Sequence, residues 1–205
     1  MYFKKNKSII IGCALVVLLI LTGIVINLFW PRYEEQFFEL SLLGKNKMAE
    51  NFFLNDNSSL LLNSQVAWFI YIYNHIGSPQ NVFLKVKLVN STIDLPIDQD
   101  NKPSLVDPIA EFPLSLSINE TLLVPFSWSI VEAFSQNDSI ILKQLIINDE
   151  IVNVNISTSS NSSCWMVFEL WVYDNSSQNY RFGWLSGEKL SSSSLYMLFK
   201  VLPIN

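Results

Sequence analysis

Residues 8–30, SIIIGCALVVLLILTGIVINLFW, run for 23 positions without a charged side chain. At about 1.5 Å per residue, a helix of that length spans the about 30 Å of a bilayer's hydrocarbon core. Any fold for this chain has to accommodate a segment suited to lipid. A cleavable signal peptide calls for a shorter apolar region, roughly 7 to 15 residues, closed by a small-residue cleavage site. The run exceeds that, and its end at Asn27, Leu28, Phe29, Trp30 and Pro31 has no such site. It reads as an uncleaved signal anchor. Ile10, Ile11, Gly12 and Cys13 faintly resemble a lipoprotein processing box, but they open the apolar region instead of closing it. Cys13 therefore reads as a lipid-facing or helix-packing residue.

Orientation follows from charge. Lys4, Lys5 and Lys7 precede the run, whereas Arg32, Glu34 and Glu35 follow it, so the positive-inside rule puts the N-terminus in the cytoplasm and the bulk of the chain outside. Phe29, Trp30 and Tyr33 suit the aromatic belt at the outer interface. The resulting plan is a cytoplasmic stretch 1–7, a transmembrane helix 8–30 in contact with membrane lipid, a linker 31–36 and one exterior domain 37–205. All 18 acidic residues lie beyond Trp30, against 13 − 3 = 10 basic ones, a net of 10 − 18 = −8 outside. That balance argues against nucleic acid as a partner. Cys164 is the sole exterior cysteine, so no intrachain disulfide is available there and the domain must be held by its core.

Within the exterior part, 66–73 (VAWFIYIY) and 82–89 (VFLKVKLV) are β-branched and aromatic runs bounded by turn residues. The second alternates, with Val82, Leu84, Val86 and Leu88 on one face and Lys85 and Lys87 on the other. The pair reads as a hairpin, its turn at Gly77, which tolerates φ > 0, and Pro79, which lacks an N–H. Further strand-like runs occupy 121–131, 139–147, 164–173, 180–185 and 195–202. Polar connectors separate them, notably 98–108 and 155–163, while 132–136 suits a short helical turn. Seven or more short strands with regular turn signals predict a mainly β exterior domain, an antiparallel β-sandwich.

Several short motifs carry a resemblance. Phe37, Phe38, Glu39 and Leu40 with Leu43 and Gly44, then Met48, Ala49, Glu50 and Asn51, then Tyr73, Asn74, His75 and Gly77, and finally Val124, Pro125, Phe126, Ser127 and Trp128 together resemble the archaeal membrane-protein family known as domain of unknown function 1616. The resemblance covers roughly 37–201. It implies an immunoglobulin-like exterior sandwich and an archaeal membrane location, with no activity attached. The chain departs from the pattern after Asn51, where Phe52 and Phe53 stand in place of an expected proline.

Candidate chemistry is sparse. His75 is the only histidine, 89 residues from Cys164, so a zinc site built on it is unsupported. As a catalytic base it would need partners that meet it only in the fold. A strand-end role beside the turn is the economical reading. Asp98, Asp100, Asn101 and Asp107 gather oxygen ligands in one loop, yet they lack the central glycine and final glutamate of an EF-hand, and a solvated loop is expected. Trp165, Trp171 and Trp184, with Phe168, Tyr180 and Phe182, make the C-terminal third aromatic. In 164–173 alternation puts Trp165, Val167, Glu169 and Trp171 on one side and Met166, Phe168, Leu170 and Val172 on the other, so this strand is either central or half of an interface. Exterior Asn-x-Ser/Thr triplets begin at Asn57, Asn90, Asn119, Asn137, Asn155, Asn161 and Asn175. They are N-glycosylation candidates, or by-products of Asn and Ser clustering in turns.

Phosphate-loop, His-Glu-x-x-His and Cys-x-x-Cys signatures are absent. The expected function is a membrane-anchored, extracytoplasmic binding or structural module with no catalytic, cofactor or metal residues. Its partner would be an envelope protein or a glycan. The rival expectation is an accessory subunit or an envelope enzyme using His75 and nearby carboxylates.

Overall fold

Alternation of β-branched and aromatic residues fixes most of the strands in the computed structural model, which describes residues 2–29, 36–54, 57–90, 92–159, 163–187 and 189–202. The chain forms two units, 1–34 and 35–205. The first is a single helix, α1 (Tyr2–Phe29). Its side chains are described for 11–26, where large apolar groups such as Leu15, Leu19 and Ile24 are half or more exposed. Among the described residues no helix is long and apolar enough to cross a membrane. Trp30, Tyr33, most of the linker 31–36 and Asn161 lie outside the described residues.

The second unit contains β1 (Phe38–Leu43), β2 (Ser59–Leu60), β3 (Val66–Asn74), β4 (Gln80–Val89), β5 (Ala110–Leu116), β6 (Thr121–Gln136), β7 (Ser139–Ile147), β8 (Glu150–Ser159), β9 (Cys164–Asp174), β10 (Asn179–Phe182), β11 (Trp184–Ser186), β12 (Lys189–Ser191) and β13 (Ser194–Val201). One sheet has the order β1-β3-β6-β7-β8, the other β2-β13-β9-β4-β5, with β10 also on β9 and β11 pairing β12 apart. All pairings between named strands are antiparallel except β13 with β2. The order β1-β3-β6-β7 matches A-B-E-D of an immunoglobulin constant-type domain, and β13-β9-β4 matches G-F-C. Here the D position is filled by a strand that follows β6, and β8 extends the sheet.

Both inner faces feed one core. Trp68, Ile70 and Ile72 of β3 and Phe126, Trp128 and Ile130 of β6 meet Leu84 and Val86 of β4, Phe168 and Leu170 of β9 and Phe199 of β13. Phe126 lies edge-on to Phe168 at 5.0 Å and Trp128 to Phe199 at 4.8 Å, across the sandwich. Trp68 and Phe168, 6.1 Å apart, join the B and F positions that a disulfide bridges in antibody domains. An aromatic contact takes that place in a domain whose Cys164 is free and buried.

Four local expectations are corrected. The runs around Gly77 form no hairpin, because β3 and β4 lie in different sheets and the turn carries the chain across the sandwich. Asn74, fully buried, fixes that crossing by donating to Ser78 O and Ser117 O, both at 2.9 Å, and accepting from the Ile76 N–H at 3.0 Å. Second, 132–136 is strand: β6 continues through a bulge into a two-residue turn, where Asn137 and Asp138 have φ of 49° and 59°, as type I′ geometry requires. Third, β8 runs to Ser159 through the supposed connector, paired to β7 after the Asn148 and Asp149 turn, with φ of 45° and 68°. Fourth, 180–185 is broken at Gly183, whose φ of 86° and close approach to Ser191 O admit no side chain.

Candidate interaction face

Residues opposite one another on neighbouring antiparallel strands share a face, so register builds the outer surface of the β9 sheet row by row. Pro113, Phe83, Trp171 and Phe182 form one row. Glu111, Lys85, Glu169 and Ser194 form the next, followed by Lys87, Val167 and Tyr196, then Val89, Trp165 and Leu198. Apolar and aromatic rows flank the charges, which lie in the two middle rows.

Charged side chains on such a face are expected in water, yet Lys87 and Glu169 retain side-chain exposures of only 4% and 0%. They form an ion pair at 2.9 Å. Lys87 Nζ also donates to Ser104 O at 2.6 Å, the Ser104 N–H donates to Glu169 Oε1 at 2.6 Å, and Trp171 Nε1 donates to Glu169 Oε2 at 2.9 Å. Both carboxylate oxygens are thus engaged, which is what makes a buried charge tolerable. Beside this cluster Lys85 pairs with Glu111 at 3.0 Å and lies 4.2 Å from the centre of the Trp171 ring. The alternation of Lys85 and Lys87 was visible in sequence, but the burial of one was not. The covering residue, Ser104, comes from a loop 65 positions away in sequence from Glu169.

That loop, 97–108, is the acidic connector. Ile97 and Lys102 bridge each other. The Asp98 carboxylate accepts from the Ser194 N–H at 3.1 Å and from its hydroxyl at 3.0 Å, while Asn101 Nδ2 donates to Leu190 O at 3.2 Å. Asp100 faces Lys102 at 2.8 Å. Asp98 and Asp100 thus engage separate partners, and no group of three or more His, Cys, Asp or Glu able to hold a metal occurs among the described residues. Leu105, next to Ser104, is 91% exposed; Tyr196 and Leu198 on β13 are 56% and 41% exposed. Tyr196 stands two strand spacings, about 10 Å, from Lys87 in the same row. An apolar strip therefore borders a rigidly paired ionic patch.

Strand β9 is central, between β4 and β13, and buried on both faces. Trp184 is buried and its Nε1 donates to Gln36 O at 3.0 Å. Tyr180 packs at 4.4 Å from Phe83 and 5.2 Å from Tyr173. Most of the aromatic C-terminal third is thus packed, and Trp165, Tyr180 and Trp171 remain half-buried.

His75 follows β3 directly. Its N–H donates to Phe37 O at 2.9 Å, its ring lies 4.8 Å from Phe37, and Nδ1 is 3.4 Å from Tyr73 Oη. Asn57, Asn90, Asn119, Asn137, Asn155 and Asn175 are all exposed. Asn90 commits Nδ2, the glycan-bearing atom, to Ser157 O at 2.6 Å; Asn155 Oδ1 accepts from Lys143 Nζ at 2.6 Å. Burial pushes the Cys164 thiol up to about 11.

Strand order and face together define an immunoglobulin-like β-sandwich module. No family model and no curated protein matches the chain, so the expected membership of domain of unknown function 1616 is not shown. Among solved structures, the CARDB domain of a Pyrococcus furiosus protein in complex with di-metal ions is similar at 8% identity, over 84% of this chain and 93% of that one, with a TM-score of 0.39. A β-glucosidase from Listeria innocua, solved with isofagomine and with gluconolactone, is similar at 10% identity over 82% of this chain, with TM-scores of 0.32 and 0.31; the chain spans 17% of its length. The fold assignment rests on strand order and not on these likenesses.

Proposed function

We propose that this chain is a single-pass membrane protein of the cell envelope, with its N-terminus cytoplasmic and its β-sandwich outside, and that it acts as a non-catalytic binding or structural module through the outer face of the β9 sheet. The anchor is supported by the uncharged run 8–30 and by apolar side chains exposed along α1, a pattern that water disfavours and lipid accommodates. The likeness to the archaeal membrane family points the same way. The observation that carries the interaction reading is the exposure of Leu105, Tyr196 and Leu198 beside a fully bonded, buried ion pair. Apolar groups held outward favour association with an envelope protein or glycan. Glycans on the exposed Asn-x-Ser/Thr sites would suit an exterior location.

Brief crosslinking of native membranes, mild-detergent capture of the full-length chain and mass spectrometry test this. A reproducible partner set that is lost in Leu105→Ser/Tyr196→Ser is the expected result. Recovery of the bait alone would refute the interaction reading. His75→Ala should leave folding and partner capture unchanged; loss of function with folding intact would favour the rival enzymatic reading.

A further inference from the structure

The segment 97–108 is attached in the opposite manner to the rest of the domain. Ser104 is its only buried residue, and none of its apolar side chains packs against the core. Leu105 and Ile97 point outward, at 91% and 47% exposure. Its described attachments to the sandwich are polar: the Ser104 peptide groups on Lys87 and Glu169, Asp98 on Ser194 and Ser192, and Asn101 on Leu190 O. Lifting such a segment exchanges hydrogen bonds for hydrogen bonds and surrenders little buried apolar area, so its opening lies at the low end of the local stability scale. What remains is a carboxylate set to take one backbone N–H and an ammonium set to give to one backbone C=O, each now at 2.6 Å.

We propose that Lys87 and Glu169 form a clamp for the N–H and C=O of one residue of an extended chain, filled in cis by Ser104, and that an extended segment of a partner protein takes the same place when 97–108 lifts. This deepens the interaction reading of the face and rests on it. Because the clamp reads main-chain atoms, it tolerates many sequences. Tyr196 and Leu198, exposed on the same face, favour an occupant with apolar side chains.

The test uses the full-length chain. Ser104→Pro deletes the donated N–H while leaving Lys87 and Glu169 in place. Asp98→Ala releases the second attachment and carries the same readings should the proline variant not fold. Hydrogen exchange is followed by segment, and binding of a fluorescent synthetic peptide with the sequence of 97–108 is titrated. The expected result is exchange at least about tenfold faster within 97–108, with β3, β6 and β9 unchanged. The peptide should bind the opened variant saturably and bind its Lys87→Met derivative at least about tenfold more weakly. Loss of protection spreading through β4 and β9, absence of peptide binding, or binding indifferent to Lys87 would overturn the clamp. Absent peptide binding alongside intact partner capture would overturn the clamp alone, whereas a wild-type chain that captures nothing would overturn the interaction reading.

Discussion

The two sheets share a core but differ on their outer faces. On β3, the outward residues Ala67, Phe69, Tyr71 and Tyr73 are all half-exposed, so the strand alternates cleanly between buried and open. On β9, Val167 and Glu169 are buried on the outward side, and on β4 so are Lys87 and Val89. The first sheet closes the core and leaves the outer face of β3 open. The second has a covered outer face, and burial there makes charge energetically consequential. A lysine on a solvated face is nearly free to vary; Lys87, sealed against Glu169, is not.

The largest expected effect strikes both sheets equally. Trp68→Ala removes a fully buried ring that contacts Phe126, Trp128 and Phe168, and should lower unfolding free energy by about 3 to 5 kcal/mol in chemical denaturation. Next comes the change that separates the sheets. Glu169→Gln should cost about 3 kcal/mol by leaving Lys87 buried without its counter-charge. Tyr71→Thr, on the open face of β3, should cost less than about 1 kcal/mol. Equal effects would erase the distinction drawn here. Replacing both charges, Lys87→Met/Glu169→Leu, should fall between these, since an apolar pair needs no counter-charge but deprives the Ser104 peptide groups and Trp171 Nε1 of their partners.

An effect below that of Trp68→Ala is expected at Gly183, where Gly183→Ala forces a side chain onto Ser191 O at a φ of 86°. About 1 to 3 kcal/mol of strain is expected, read as a lower denaturation midpoint. Cys164, its thiol raised to about 11 by burial, should resist alkylation at neutral pH in a Cys13→Ser background and react on unfolding. The smallest effect belongs to Asp174. Hydrogen bonds from the Ser176 hydroxyl and N–H, then from Ser177, and the Arg181 charge hold its carboxyl below the usual range. A depressed folded-state value stabilises the fold above the ordinary carboxylate pKa, and the contribution is lost as pH falls through the depressed value. Wild type and Asp174→Asn should therefore differ slightly at neutral pH and converge in acid.

How far the sequence revealed this architecture depends on which forces acted. Where one face is buried and the other wet, as in β3 and the inner side of β4, period-two alternation exposed the strand directly. Strand β8 was hidden because Asn153, Asn155 and Ser157 lend it the composition of a loop, although Val152, Val154 and Ile156 keep the period. Asn148 and Asp149, like Asn137 and Asp138, are a local hairpin signal, with both residues of each pair at positive φ. Placing β3 and β4 in one hairpin failed for a different reason: the length and turn residues of 74–80 suit a hairpin, and only a shared core decides that the chain crosses to the other sheet. The buried ion pair was least legible. Alternation identified its outward position, but the cover arrives from 97–108, and no local pattern announces a contact made over that separation.

The claim that matters most is that the covered face of the β9 sheet meets a partner and the open face of the β3 sheet does not. A photo-crosslinking residue placed in turn at Leu105, Tyr196 and Tyr71 of the full-length chain in native membranes tests it directly. Adducts to one partner from Leu105 and Tyr196, with none from Tyr71, are predicted. Adducts from Tyr71 alone, or none from any of the three, would contradict it.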